Sequence, residues 1–365
     1  MQILIIDNDV FNEYDGGLYI YRTTGDFGLE LNSMGYEVRF FQTKLIRKSS
    51  FHSFNINETT LKVTSAKRYK SKIFTYLISY IIATWTVLKS DFVYIYYPTN
   101  YHYLCFICLL LNKKYGLNLR GQQSFNSRLS AFLFKRAHVV CTVSEYFTKY
   151  INELGGNAVT QRPMLSDNFF LDEKVRVYPN LKVYKILFVG RLDIEKGLLE
   201  LLKAISNLLL KGHNVSLDLV GDGGDLGVIE SEIQILGLTN IVTLNGSIQN
   251  GALLKEFYYR ADIFVLPSYH EGFPRVIYEA MLSRVPVVTT IVGGMKTLMK
   301  DGYNCIEVYP RSTNDLVDKL EHLINDYSVS KLLCENAFFS VMEFFNFTTM
   351  KQSEIINNSL NFSIK

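Results

Sequence analysis

The chain has 365 residues, of which 48% are hydrophobic and 20% charged, and its net charge is only +3. That length suits two domains better than one, and the apolar content fills separate cores and excludes extended disorder. With 7 prolines and 23 glycines the chain is neither fibrous nor of low complexity.

The first residues, Met1 to Asp7, lack a basic segment and a small-residue cleavage site, so no signal peptide is expected. They read as a buried strand over Ile3–Ile6. Gly16-Gly17 then breaks the chain, and a helical stretch runs to about Met34, capped by Gly35. Strands follow at Glu37–Phe41 and Phe92–Tyr96, a helix at Tyr103–Asn112, and strands at Leu117–Leu119 and Val139–Val143. The segment Gln161–Tyr178, with Pro163 inside it and Pro179 after it, has no clear period and is the expected linker.

Beyond it the alternation restarts. Lys185–Val189 is a strand ending at Gly190, Leu198–Leu210 an amphipathic helix closed by Gly212, and Ser216–Val220 a strand ending at Gly221. Ile241–Leu244 and Ile263–Leu266 are strands, Val276–Leu282 is helical and Val285–Thr289 is a strand. Phe344 to Asn358 reads as one more weakly amphipathic helix, with nothing in it to say where it packs. Strand and helix alternating in two runs predict an α/β protein of two doubly wound domains, over 1–165 and 183–345, with a helical tail over 346–365. Ligands in such sheets bind beyond the carboxyl ends of the strands.

Five cysteines sit mostly in apolar runs, and Cys105 and Cys108 lie inside a hydrophobic stretch with no second ligand pair. They read as buried thiols, which implies the cytosol. Charge is uneven: residues 1–170 carry 19 Lys/Arg against 12 Asp/Glu, whereas the remainder carries 19 against 23. The excess peaks at Lys62, Lys67, Arg68, Lys70 and Lys72, directly before Ile73, Phe74, Tyr76, Leu77, Tyr80, Ile81 and Trp85. One reading is a solvated helix end. The other is a surface for anionic lipid headgroups. Ile73–Leu88 is too short and too hydroxyl-rich to span a bilayer. No dense basic stripe supports nucleic-acid binding.

The chemistry-bearing residues follow strands. Phe188 to Gly197 ends a strand at Gly190 and places Arg191 and Lys196 before a helix, donors suited to a diphosphate. Leu266 to Met281 ends another strand and carries Glu271 on a loop, Gly272 and Phe273 with backbone N–H groups, Pro274, and Glu279 one turn into a helix. Carboxylates at these points suit the vicinal hydroxyls of a ribose or hexose.

The run Glu271 to Met281, the run Phe188 to Gly197, Gly221 to Gly223 and Gly293-Gly294 together resemble family-4 retaining glycosyltransferases of the GT-B fold. At the N-terminus Gly16-Gly17 and Gly35 to Val38 resemble its first loop and second strand. The resemblance implies two Rossmann-like domains facing across a cleft, and a hexose-type sugar moved from a nucleotide-diphosphate sugar to a glycan or lipid-linked acceptor. It implies Glu271, Arg191 and Lys196 as catalytic residues. Glu279, Gly272, Phe273, Gly16, Gly17, Gly190 and Gly221 would bind the donor. No metal or other cofactor is implied, because basic side chains and helix dipoles take the charge. The setting implied is bacterial surface polysaccharide or lipopolysaccharide assembly, in the cytoplasm or peripherally on the inner leaflet.

Two departures stand out. Relatives place a His or Asp in the first domain near the transferred sugar, whereas Leu119-Arg120-Gly121-Gln122-Gln123-Ser124 has none and His102 lies earlier. Thr297 stands where relatives carry a Glu after the glycine pair. The competing readings are a sugar-nucleotide epimerase on the same fold and a non-catalytic subunit that binds a partner or lipid.

Overall fold

The computed structural model describes residues 1–48, 52–119, 125–163, 165, 169, 183–248, 251–272 and 274–361. Phe273, Arg120 to Ser124 and most of the expected linker lie outside the described residues. The chain divides into two compact units, Met1–Pro163 with Thr349–Lys365, and Met164–Thr348.

In the first unit the elements run β1 (Gln2–Ile6), β2 (Phe11–Tyr14), β3 (Gly17–Ile20), α1 (Arg22–Ser33), β4 (Glu37–Ile46), β5 (Phe54–Asn55), β6 (Lys62–Lys67) and α2 (Lys72–Leu88). They continue as β7 (Phe92–Tyr97), α3 (Tyr103–Leu110), β8 (Lys114–Leu119), α4 (Arg128–Arg136), β9 (Val139–Thr142), α5 (Glu145–Glu153) and β10 (Ala158–Thr160). The main path is β10-β9-β8-β7-β1-β4, all parallel, with β6 parallel to β4 on its own branch. Ile3 to Ile6 and Phe92 to Tyr96 are wholly buried, as befits central parallel strands that read as unbroken apolar runs.

The segment after β1 differs from the sequence expectation. Gly16-Gly17 does not lead from a loop into a helix. Asp15 (φ 48°) and Gly16 (φ 73°) form the two-residue turn of a hairpin in which β2 pairs antiparallel with β3, Tyr14 opposite Gly17. A turn with both residues at positive φ matches the twist of paired strands, and Asp-Gly is a favoured occupant. Tyr14 and Tyr19 stack with centroids 3.9 Å apart. The helix begins only at Arg22.

The second unit runs β11 (Tyr184–Val189), α6 (Leu198–Leu210), β12 (Val215–Val220), α7 (Leu226–Ile235), β13 (Val242–Leu244), α8 (Gly251–Arg260), β14 (Ile263–Leu266), α9 (Arg275–Leu282), β15 (Val287–Thr289) and β16 (Ile306–Glu307). Helices α10 (Thr313–Asn325) and α11 (Ser330–Glu343) follow. Its sheet is all parallel in the order β13-β12-β11-β14-β15-β16. This is the doubly wound order whose direction reverses between the first and fourth strands, here β11 and β14.

The C-terminal expectation also needs correction. Phe344 to Asn358 is not one helix. A π-turn over Phe344–Thr348 ends α11, and a separate helix α12 (Gln352–Asn361) follows. Phe344 and Phe345 lie against Tyr278, at 5.9 and 5.3 Å between ring centroids, so this run belongs to the second core. Met350 then bridges to Gln161, and α12 packs in the first unit. Gln352 Nε2 donates to the buried Tyr94 hydroxyl at 2.7 Å, Ser353 donates to Glu30 at 2.6 Å, and Ile355 and Ile356 are buried. Replacement Ile356→Ala empties a packed site and is expected to cost about 2–5 kcal/mol, read as a shift of the first unit's urea transition with the second unit's unchanged.

Candidate functional site

The switch point between β11 and β14 is where a doubly wound sheet opens a crevice at its carboxyl edge. Two close backbone contacts shape it. Gly221 follows β12 at φ 148°, and a Cβ there would collide with the Gly190 carbonyl oxygen. Gly197, at φ 71°, closes a 3-10 turn over Ile194–Lys196, and a Cβ there would collide with the Pro267 carbonyl oxygen. Both positions therefore exclude a side chain by space as well as by φ. The result seats the loop after β11 against the loop after β14, with the Tyr269 N–H donating to the Glu195 carbonyl at 2.9 Å.

That seating brings Lys196 to Glu271. Lys196 Nζ lies 2.7 Å from Glu271 Oε1, and the two side chains are only 12% and 11% exposed. Ser268, wholly buried at the end of β14, donates its hydroxyl to the same oxygen at 2.8 Å. Among the described residues Oε2 has no hydrogen-bond partner. Arg191 takes another course. Its guanidinium pairs with Asp193 at 2.7 Å and Glu195 at 2.8 Å, and its side chain is 63% exposed. Of the two basic residues read from the sequence, only Lys196 is seated against Glu271.

Glu279, on α9, is buried. Tyr258, on α8, donates its hydroxyl to Glu279 Oε2 at 2.9 Å. Burial raises the Glu279 carboxyl above the usual glutamate range, while the Arg275 charge and the Tyr258 bond pull it back in part. Burial likewise holds the Tyr258 phenol well above its ordinary value, helped by the Glu279 charge. The phenol is therefore a standing donor. A carboxylate held this way can accept from a diol through the oxygen that Tyr258 leaves open.

Gly190, where β11 ends, donates its N–H to the Val220 carbonyl at 3.0 Å, and Gly272 is half-buried beside Glu271. Gly16 and Gly17 lie at the hairpin turn of the first unit. Sequence reasoning missed Tyr258 and Ser268. Ser268 sits three residues before Glu271, a spacing that could have flagged it. Tyr258 lies 21 residues from Glu279 on another helix, and no local pattern marks it.

Residues 172–338 match the family of glycosyl transferases group 1. The chain is 32% identical over 170 residues to an uncharacterized glycosyltransferase of Methanocaldococcus jannaschii, covering 47% of this chain and 43% of the relative. It is 31% identical over 171 residues to the capsular polysaccharide biosynthesis glycosyltransferase CapM of Staphylococcus aureus, covering 47% and 44%. The chain thus spans less than half the length of these curated relatives. Among solved structures, Anabaena Alr3699/HepE in complex with UDP aligns with a TM-score of 0.69 at 19% identity, over 100% of this chain and 99% of that one. The fold is GT-B, with two Rossmann-like domains.

The raised Glu279 carboxyl sets a pH signature. The folded protein holds that proton to higher pH than the unfolded chain, so stability falls as pH rises from the ordinary glutamate value, about 4.3, through the raised one. Glu279→Gln is expected to abolish that fall, a slope of up to about 1.4 kcal/mol per pH unit for one group. Urea unfolding of the two proteins between about pH 4.3 and 7 checks it.

Proposed function

We propose that the protein is a retaining, metal-independent glycosyltransferase moving a hexose-type sugar from a nucleotide-diphosphate sugar to a lipid-linked glycan acceptor. The reading places it in bacterial surface polysaccharide or lipopolysaccharide assembly, peripheral on the cytoplasmic face of the inner membrane. The observation that carries it is the Lys196–Glu271 pair with the Tyr258-held Glu279, all at the carboxyl edge beside the β11/β14 switch point. The capsular role in the name of CapM and the UDP held by Alr3699/HepE support the same reading.

In this reading Glu279 accepts from the donor ribose and Glu271 from a hydroxyl of the transferred sugar. Gly190, Gly221 and Gly272 let backbone approach the phosphates, and Lys196 neutralises the departing diphosphate. Arg191 joins it, since its exposed ion pairs are worth only about 0–1 kcal/mol and yield to a dianion. The bond from the anomeric carbon to phosphate breaks as the acceptor oxygen bonds that carbon on the same face. The leaving phosphate oxygen takes the acceptor's proton, so configuration is retained. Positive charge for the leaving group comes from side chains and the α9 N-terminus, with no divalent cation.

The test is thermal unfolding with UDP, GDP, ADP and their sugars in EDTA. A nucleotide at a hundred times its Kd adds about 2.7 kcal/mol, or roughly 5–10 °C for a unit of this size. One nucleotide is expected to do so, and Glu279→Ala to lose the effect. Lys196→Ala is expected to lower kcat/KM roughly 10²–10³-fold, as loss of a charge-stabilising donor does. No stabilisation by any nucleotide would overturn the transferase reading in favour of a partner-binding subunit.

A further inference from the structure

Helix α2 is inverted. Towards the sheet it turns Thr75, Ser79, Ala83, Thr86 and Val87. Towards solvent it turns Ile73, Leu77, Ile81 and Trp85, which are 83%, 56%, 63% and 58% exposed. Steps of four residues put these side chains on one stripe, and an ordinary surface helix carries its apolar stripe inward. The inversion is tolerated because the buried hydroxyls bond back to their own helix. Thr75 Oγ1 donates to the Ser71 carbonyl at 3.0 Å, Ser79 to Tyr76 at 3.0 Å and Thr86 to Ala83 at 2.7 Å.

The apolar surface extends to neighbouring helices. Tyr103 on α3 donates to the Tyr80 carbonyl of α2 at 2.9 Å. Phe106 of α3 stacks on Phe132 of α4 at 5.9 Å, and both rings are exposed, as are Leu110 and Leu129. Charge around it has one sign. From Thr59 through Ser144 the sequence carries 12 Lys/Arg and a single acid, Asp91. Asp91 accepts from the Gln2 N–H at 2.7 Å. Lys67, Arg68, Lys70 and Lys72 gather at one end of α2, and Lys89 lies at the other, 4.8 Å from the Trp85 ring centroid.

We propose that α2, with the exposed tips of α3 and α4, docks on an anionic lipid bilayer, α2 lying in the plane of the interface. At 17 residues it is about 25 Å long, and none of the described helices is long and apolar enough to cross a membrane. Apolar side chains enter the acyl boundary while lysines and arginine at both ends meet headgroup phosphates. A second copy fits poorly, because pairing this face with itself sets basic clusters together with no acid to offset them. The inference deepens the proposed function and rests on its lipid-linked acceptor for its purpose.

Trp85 is the only tryptophan in the chain, so its fluorescence reports this face alone. The full-length protein is mixed with phosphatidylcholine vesicles, or with vesicles one-third phosphatidylglycerol. Emission is expected to move to shorter wavelength, and the protein to sediment, with the anionic vesicles. Binding should be about tenfold weaker or more on neutral vesicles, at high salt, and in the double variant Leu77→Ser and Ile81→Ser, whose melting is unchanged. Absence of binding to anionic vesicles, binding indifferent to charge or to the variant, or a lipid-free dimer that buries Trp85 would each overturn the proposal. Nucleotide stabilisation is measured on the same samples and is expected to survive in the variant. Vesicle binding without it would overturn the transferase reading and leave the docking surface standing. Stabilisation without vesicle binding would do the reverse.

Discussion

Backbone packed on backbone at the carboxyl edge of the second sheet is the constraint from which the site follows. Gly221 lies against the Gly190 carbonyl and Gly197 against the Pro267 carbonyl, with no room at either for a Cβ. These contacts fix the loop after β11 against the loop after β14. Only then does Lys196, at the end of one loop, fall within 2.7 Å of Glu271 on the other. These close contacts set the spacing of the two loops that brings Lys196 to Glu271.

The two glutamates are then treated differently by their surroundings. Glu271 is compensated by a full positive charge and a serine hydroxyl, both on one oxygen. Glu279 is more deeply buried, faces a neutral phenol, and has its carboxyl raised by burial. In the proposed function an arriving diphosphate would draw Lys196 away and leave Glu271 bonded to the Ser268 hydroxyl, a loss that a donor hydroxyl on its open oxygen would offset. In the same reading Glu279 would gain from a bound donor, since each hydroxyl bonded to its carboxylate offsets desolvation already incurred.

Much of this was legible from sequence where burial is two-sided. Central parallel strands are apolar on both faces, so Ile263–Leu266 and the helix Leu198–Leu210 could be read to their ends. The hairpin β2–β3 was not, because Asn12, Glu13 and the short strands break the apolar run and Asp15-Gly16 looks like a plain chain break. Within the site, Lys196, Glu271 and Glu279 announced themselves by following strands. Arg191 carried the same signal, yet Asp193 and Glu195 hold it on its own loop. Tyr258 was invisible because its pairing depends on how two helices pack, which no local spacing encodes. The destination of α12 was equally hidden, since its partners Tyr94 and Glu30 lie over 250 residues away in sequence.

The two units share a strand order yet carry different side chains at the switch point. Along β6-β4-β1-β7-β8 the first sheet repeats the pattern of β13-β12-β11-β14-β15 in the second. After β1, however, stand Asp7 and Asp9. Asp7 accepts from the N–H groups of Asn8 and Asp9 at 2.7 and 3.3 Å, and Asp9 pairs with the buried His52 at 3.3 Å. After β11 stand Gly190, Arg191 and Lys196, with Asp193 and Glu195 between the two cations. The loop after β1 is acidic, whereas the loop after β11 balances two cations against two carboxylates and turns Lys196 to Glu271. Topology alone would have given both units an equal claim to the nucleotide. In the proposed function the cations after β11 favour the second unit for it, and the first, basic on its outer helices rather than at its sheet edge, is left for another surface.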